Sequence, residues 1–154
     1  MNFNVAIFAD QNCSGFCAII QNEYGEIMAA MSDMGPLVSN SEEAEALACR
    51  KTIEFSIDAG FSKLIIEGDN ATVIRAVCSS PTNQSLLGNI IKDVKCLLIG
   101  LRYVSIKCIS REGNKVAHVL ARHAKNISCD LYWLEDSPPP TVNALYHDIL
   151  NMYE

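Results

Sequence analysis

Apolar residues in the first third of the chain come in short runs separated by turn formers. From Phe3 to Phe8, from Gly15 to Ile20 and, after Tyr24-Gly25, from Glu26 to Met31, the residues are largely β-branched, aromatic or small. That pattern predicts three antiparallel strands joined by short turns. Met34-Gly35-Pro36 reads as a breaker. Ser39 followed three residues later by Glu42 has the form of a capping box, which predicts a helix running to about Ala59 and stopped by Gly60. Ala44, Leu47, Ala48 and Phe55 fall on one side of that helix, while Ala46, Cys49, Ile53 and Ile57 fall on another. A helix apolar on more than one side is expected to be buried on several.

The period then alternates between strand and helix. Lys63 to Glu67 is a short, nearly unbroken apolar run, as in a parallel strand covered on both faces. Gly68-Asp69-Asn70 turns into a short helix ending near Ser79-Ser80-Pro81. Leu86, Leu87, Ile90, Ile91, Val94, Leu97 and Leu98 recur at helical spacing up to Gly100. A strand from Arg102 to Ile109 follows, then a helix starting near Asn114 with Val116, Ala117, Leu120, Ala121 and Ala124 as its packing stripe. The order β-β-β-α-β-α-α-β-α implies one α/β domain, residues 1–136, with a five-stranded mixed sheet: three antiparallel strands, then parallel crossovers, flanked by helices. Ser137-Pro138-Pro139-Pro140 opens a tail, residues 137–154, whose Val142, Leu145 and Ile149 predict a short helix packed on the domain.

Composition narrows the setting. A chain of 154 residues with 49% hydrophobic residues builds a core without staples. The seven cysteines are odd in number and scattered, and most sit in apolar runs, so they read as small buried hydrophobes in a reducing compartment, nuclear or cytoplasmic. Cys13 and Cys17 lack a second pair of ligands at a zinc spacing. No apolar run reaches a membrane span of roughly 18 residues, and none forms a leader. A net charge of −6 opposes a general, charge-driven grip on nucleic acid, so any such contact must be local. Lys107, Arg111, Lys115, Arg122 and Lys125, with only Glu112 among them, provide a place for it, although a solvated helix face explains the group as well.

Three polar residues stand where an apolar framework does not call for them: Glu45 in the long helix, Asp69 at a strand end and His118 in the last helix. Each has a plain structural explanation. Glu45 could be an exposed early-turn residue favoured by the helix dipole, Asp69 could cap the next helix, and a lone helical His is more often structural than a ligand.

Their surroundings are more specific together than singly. Phe16-Cys17-Ala18-Ile19-Ile20, Glu43-Ala44-Glu45-Ala46-Leu47-Ala48, Ile66-Glu67-Gly68-Asp69-Asn70 and Asn114-Lys115-Val116-Ala117-His118-Val119-Leu120-Ala121-Arg122 resemble successive blocks of the type 1 ribonuclease H fold. The resemblance is greatest to plant ribonuclease H-like domains related to the C-terminal part of non-LTR retrotransposon reverse transcriptases. It implies endonucleolytic cleavage of RNA in RNA/DNA hybrids, with four acidic residues holding two Mg²⁺ ions.

Carried over by position, two of those acids are Glu45 and Asp69. The first-strand acid, counted back without a gap from Phe16, falls on Asn4, and the fourth falls on His118. Asp10, six residues further along, is roughly 20 Å away in an extended strand and would serve only through a shifted register. Cys17 and Gln21 depart too, where the resemblance leads to Gly and Arg. Two carboxylates, an amide and an imidazole imply weak binding of Mg²⁺, some rescue by Mn²⁺, and weakened hydrolysis. Lys107, Arg111, Asn114 and Lys115 are the expected nucleic-acid contacts, positioning an RNA/DNA hybrid by its backbone, with the chain acting as a monomer. The alternative is a catalytically inactive nucleic-acid-binding or protein-interaction module of retroelement origin.

Overall fold

The structure is a computed structural model, and it describes residues 1–38, 40–79, 85–127, 129–135 and 138–139. Along the chain run β1 (Asn2–Phe8), β2 (Cys13–Gln21), β3 (Ile27–Pro36), α1 (Ser41–Asp58), β4 (Lys63–Gly68), α2 (Ala71–Cys78), α3 (Leu86–Ile99), β5 (Tyr103–Cys108), α4 (Lys115–His123) and β6 (Leu131–Leu134). They form one mixed sheet in the order β5-β4-β1-β2-β3-β6, in which β1, β2, β3 and β6 are antiparallel neighbours while β4 runs parallel to β1 and β5.

The sheet has six strands, not the expected five. The sixth, β6, is four residues long and pairs with β3 from Ala29↔Leu134 to Ser32↔Leu131. The third strand also outlasts its expected end at Met31. Met34-Gly35-Pro36 continues the ladder, with Ser14↔Gly35 and Cys13↔Pro36 as its last pairs. Gly35 is there because the Phe16 ring lies on it, and an added Cβ would come within 2.2 Å of that ring.

Alternation along the strands divides the interior in two. On one face Phe3, Phe16, Ala18, Met31, Leu64 and Ile66 pack with α1, α2 and α3; on the other Cys17, Ile19, Ile27 and Ala30 pack with α4. Helix α1 is buried through Ala44, Ala46, Ala48, Cys49, Ile53 and Phe55, whereas Ile57 is exposed. The expected capping residue Ser39 lies outside the described residues. The observed cap is Asn40, whose side chain accepts from the backbone N–H groups of Glu42 and Glu43. Of the cysteines only Cys17 and Cys49 are buried; Cys78, Cys96, Cys108 and Cys129 are exposed, correcting the expectation that most are core residues, and all seven are free. Pro138 is buried, and residues 140–154, which carry the expected tail helix, lie outside the described residues. No helix among the described residues is long and apolar enough to cross a membrane.

Candidate active site

The sheet opens beside β1. Strand β4 pairs with it only at Asn2↔Glu67 and ends at Gly68, while β1 continues to Phe8. The uncovered edge of β1 becomes the wall of a cleft of about 1190 Å³, closed by the first turns of α1, the end of β4 and the outer side of α4. Asn4, Glu45, Asp69 and His118 all line it. Residues up to 114 positions apart in sequence are thus gathered at one place by the crossover topology.

Asn4 lies between the core-facing Phe3 and Val5, so it points toward the α4 side, opposite Cys17 in the β1–β2 register. It is buried; its Oδ1 accepts from the Val5 backbone N–H at 2.7 Å, and its Nδ2 has no partner among the described residues. Glu45 is 5% exposed rather than on the surface, which removes the early-turn explanation. Its Oε1 has no hydrogen-bond partner among the described residues, and burial, helped by the charge of Asp69 and opposed by Arg111, pushes its carboxyl pKa up to about 8.

Asp69 does not cap α2. Asn70 does, its side chain accepting from the Val73 N–H at 3.1 Å, so the Asp69 carboxylate is left to the cleft, where Arg111 Nε approaches it at 3.9 Å. His118 is half-buried; burial first, then Arg122 and Arg111, hold its pKa below the usual imidazole range, while Asp69 pulls the other way. Asp10 also borders the cleft, but the β1–β2 ladder runs without a shift from Asn2↔Ile19 to Phe8↔Cys13. Asp10 lies beyond that ladder in a short 3₁₀ turn, Ala9–Gln11, bound to Lys125 Nζ at 3.0 Å, so it takes the place of Asn4 in no sense.

The expected nucleic-acid contacts divide. Arg111 borders the cleft, while Lys107 on β5 and Lys115 at the start of α4 are exposed outside its wall. Asn114 is 1% exposed and donates through Nδ2 to the Phe3 carbonyl at 2.9 Å, which makes it a brace between α4 and β1 and keeps it from direct contact with a ligand. Arg122 and Lys125 line the cleft instead. The signal for Arg122 is its position one helical turn beyond His118, which puts both on one face of α4.

The donors present make a poor site for a pair of divalent cations. Among the described residues no three side chains of His, Cys, Asp or Glu converge closely enough to hold a metal ion. Beside the two carboxylates of Glu45 and Asp69, an amide and an imidazole complete the set where hard cations favour charged oxygens.

Solved structures with the same architecture include ribonuclease H1 from the halophilic archaeon Halobacterium salinarum, 24% identical over 81% of this chain and 95% of that one, with a TM-score of 0.73. The N-terminal RNase H domain of a Mycobacterium tuberculosis protein is 13% identical over 80% of this chain and 90% of that one, TM-score 0.69. LC11-RNase H1 from compost, solved in complex with an RNA/DNA hybrid, is 15% identical over 81% of this chain and 94% of that one, TM-score 0.70. These likenesses make the fold ribonuclease H-like, an α/β domain with a mixed sheet and, among the described residues, four α-helices. No curated protein matches the chain significantly. A family model described as reverse transcriptase-like matches residues 2–124, and the chain belongs to that family.

Proposed function

We propose that this chain is a ribonuclease H-type domain that holds an RNA/DNA hybrid against the Asn4–Glu45–Asp69–His118 cleft and hydrolyses its RNA strand weakly. The observation that carries the reading is the convergence of those four side chains with Arg111, Arg122 and Lys125 on one cleft. A structural relative was solved with an RNA/DNA hybrid, and the match to a reverse transcriptase-like family supports descent from a reverse transcriptase-associated domain; we take the plant, non-LTR retrotransposon type as its source from the resemblance of its sequence blocks. Arg111, Arg122 and Lys125 contact phosphates and set the register of the duplex without reading sequence. The protonated Glu45 carboxyl and the Asn4 amide offer hydrogen-bond donors to a phosphate or a ribose 2′-hydroxyl, the group that separates RNA from DNA.

Mg²⁺ or Mn²⁺ binds weakly at best between Glu45 and Asp69, Mn²⁺ being the better match to the His118 imidazole. The free cysteines suit a reducing compartment, nuclear or cytoplasmic. Binding and cleavage of a hybrid, measured in Mg²⁺ and in Mn²⁺ against duplex DNA of the same sequence, test the proposal. Salt-sensitive hybrid binding with slow cleavage, faster in Mn²⁺ and lost in Glu45→Ala, is the expected result. Binding without any cleavage leaves a catalytically silent nucleic-acid-binding module, and failure to bind the hybrid overturns the reading.

A further inference from the structure

Half of one face of the sheet is left uncovered among the described residues. Leu64 and Ile66 of β4 and Val104 and Ile106 of β5 point into the first core, so Lys63, Ile65, Glu67, Tyr103, Ser105 and Lys107 point to the opposite side. On that side α4 packs over β1, β2 and β3. Among the described residues the β4–β5 half stands open, with Ile65 45% and Tyr103 56% exposed. The parallel register sets Lys63 beside Tyr103, Ile65 beside Ser105 and Glu67 beside Lys107.

We propose that this face, continuous with the cleft, is a track for a single-stranded nucleic-acid segment leaving the bound hybrid. The claim rests on the proposed function for its starting point, the hybrid in the cleft. Charge favours such an occupant. The chain carries a net −6, yet this face presents two lysines that have no ion-pair partner among the described residues. Its one acid, Glu67, is engaged by the Asn2 amide at 3.3 Å and lies beside Lys107. An exposed tyrosine beside Lys63, with Lys107 four residues along the same strand, is an arrangement on which bases can stack while the backbone is held by charge, with little dependence on sequence.

Position favours it too. The face abuts the cleft, because Gly68 pairs with Cys108, Ile109 N–H donates to the Gly68 carbonyl at 3.0 Å, and the next residue after Gly68 is Asp69. From Glu67 back to Lys63 the strand spans about 13 Å, which holds about four nucleotides at the 3.4 Å spacing of a stacked strand.

Fluorescence anisotropy with a 12-base-pair hybrid, blunt or extended by a six-nucleotide single-stranded overhang, tests the track. The overhang is expected to tighten binding roughly tenfold. Tyr103→Ala and Lys63→Glu, both at exposed positions, should each remove most of that gain and leave the affinity for the blunt hybrid unchanged. No gain from the overhang, or a gain that survives both variants, overturns the inference. The single strands U12 and T12, measured alone, separate this claim from the one on which it rests. Should the blunt hybrid fail to bind while U12 or T12 binds in a Tyr103-dependent way, the proposed function falls and the track stands. The stronger of the two ligands tells RNA from DNA. A wild-type dimer in sedimentation that both variants dissociate would make the face a self-interface and overturn the track.

Discussion

Asn114 Nδ2 and the Phe3 carbonyl, 111 residues apart in sequence, are joined by a buried hydrogen bond of 2.9 Å. The bond ties the start of α4 to β1 at the level of Asn4, and so fixes His118, one turn into α4, relative to the first strand. Phe3 has no β4 partner at that point, since the β1–β4 ladder is confined to Asn2↔Glu67. Asn114→Ala leaves the carbonyl buried and unpaired, which costs about 2 kcal/mol, or a fall of roughly 5 °C in Tm for a domain of this size. A thermal melt that is unchanged would mean that the amide does not brace the two elements.

Glu45 makes stability depend on pH in a direction opposite to that of a salt-bridged acid. Its folded pKa of about 8 lies above the unfolded value near 4.3. Between those values the folded chain keeps a proton that the unfolded chain has lost, so this contribution is complete at low pH and falls away as pH rises toward 8. The full loss is on the order of 3–5 kcal/mol for a group this buried. Glu45→Gln, which cannot ionise, should match the wild type in urea denaturation at pH 5 and exceed it at pH 8.5. Equal stability at pH 8.5 would show that the carboxyl ionises at no cost, as it would beside a bound cation.

The order of elements from β1 to α4 was legible from strand and helix periods, whereas Asn4 and the three residues with plain structural explanations of their own, Glu45, Asp69 and His118, were singled out by the resemblance of their sequence blocks to type 1 ribonuclease H, and all four line one cleft. The errors lie where long-range contacts override local chemistry. Gly35 and Pro36 are turn formers by composition, yet they close a ladder because the Phe16 ring needs the space above Gly35. Strand β6 has four residues, too few for a periodic signal, and exists through its pairing with β3. Asp69 and Asn70 are both competent caps, and only the backbone geometry assigns the role to Asn70. Asn114 reads from the sequence as a nucleic-acid contact because nothing in its neighbourhood announces a partner at Phe3.

Gly15 sets how closely α4 approaches the sheet. A Cβ there would lie 2.4 Å from the Ala121 carbonyl oxygen and 2.7 Å from the Ala124 Cβ, and the first of these is backbone that cannot swing aside. Gly15→Ala therefore pushes α4 outward, with a loss of about 3 kcal/mol. The same shift displaces His118 and Arg122 from the cleft, so hybrid binding should weaken beyond what the fraction unfolded explains. A variant that melts normally and binds normally would place the helix further from β2 than the geometry gives.

Restoring the missing charge tests whether ligand chemistry limits hydrolysis. Asn4→Asp with His118→Asp gives the cleft that Glu45 and Asp69 line four carboxylates, the charge that hard cations favour. If the proposed hydrolysis runs through metal ions, cleavage of an RNA/DNA hybrid in Mg²⁺ should rise by roughly a hundredfold or more. Without metal the double variant should be less stable than the wild type, because four buried or half-buried carboxylates repel one another. An unchanged cleavage rate, in a variant shown by calorimetry to bind Mg²⁺, would remove Asn4 from the site.

The cationic rim makes its own demand on binding. If Arg111, Arg122 and Lys125 each neutralise one phosphate, the logarithm of the hybrid association constant should fall against the logarithm of salt concentration with a slope of about −2 to −3. Lys125 has to leave Asp10 and Arg111 has to leave Asp69 to do so, whereas Arg122 has no ion-pair partner among the described residues. Arg122→Ala should therefore cost the most affinity of the three and lower the slope by about one. Asp10→Asn, by freeing Lys125, should tighten binding at low salt. Titrations from 50 to 300 mM salt decide the matter: a slope near zero, or one unaffected by Arg122→Ala, would mean that the duplex does not lie across this rim.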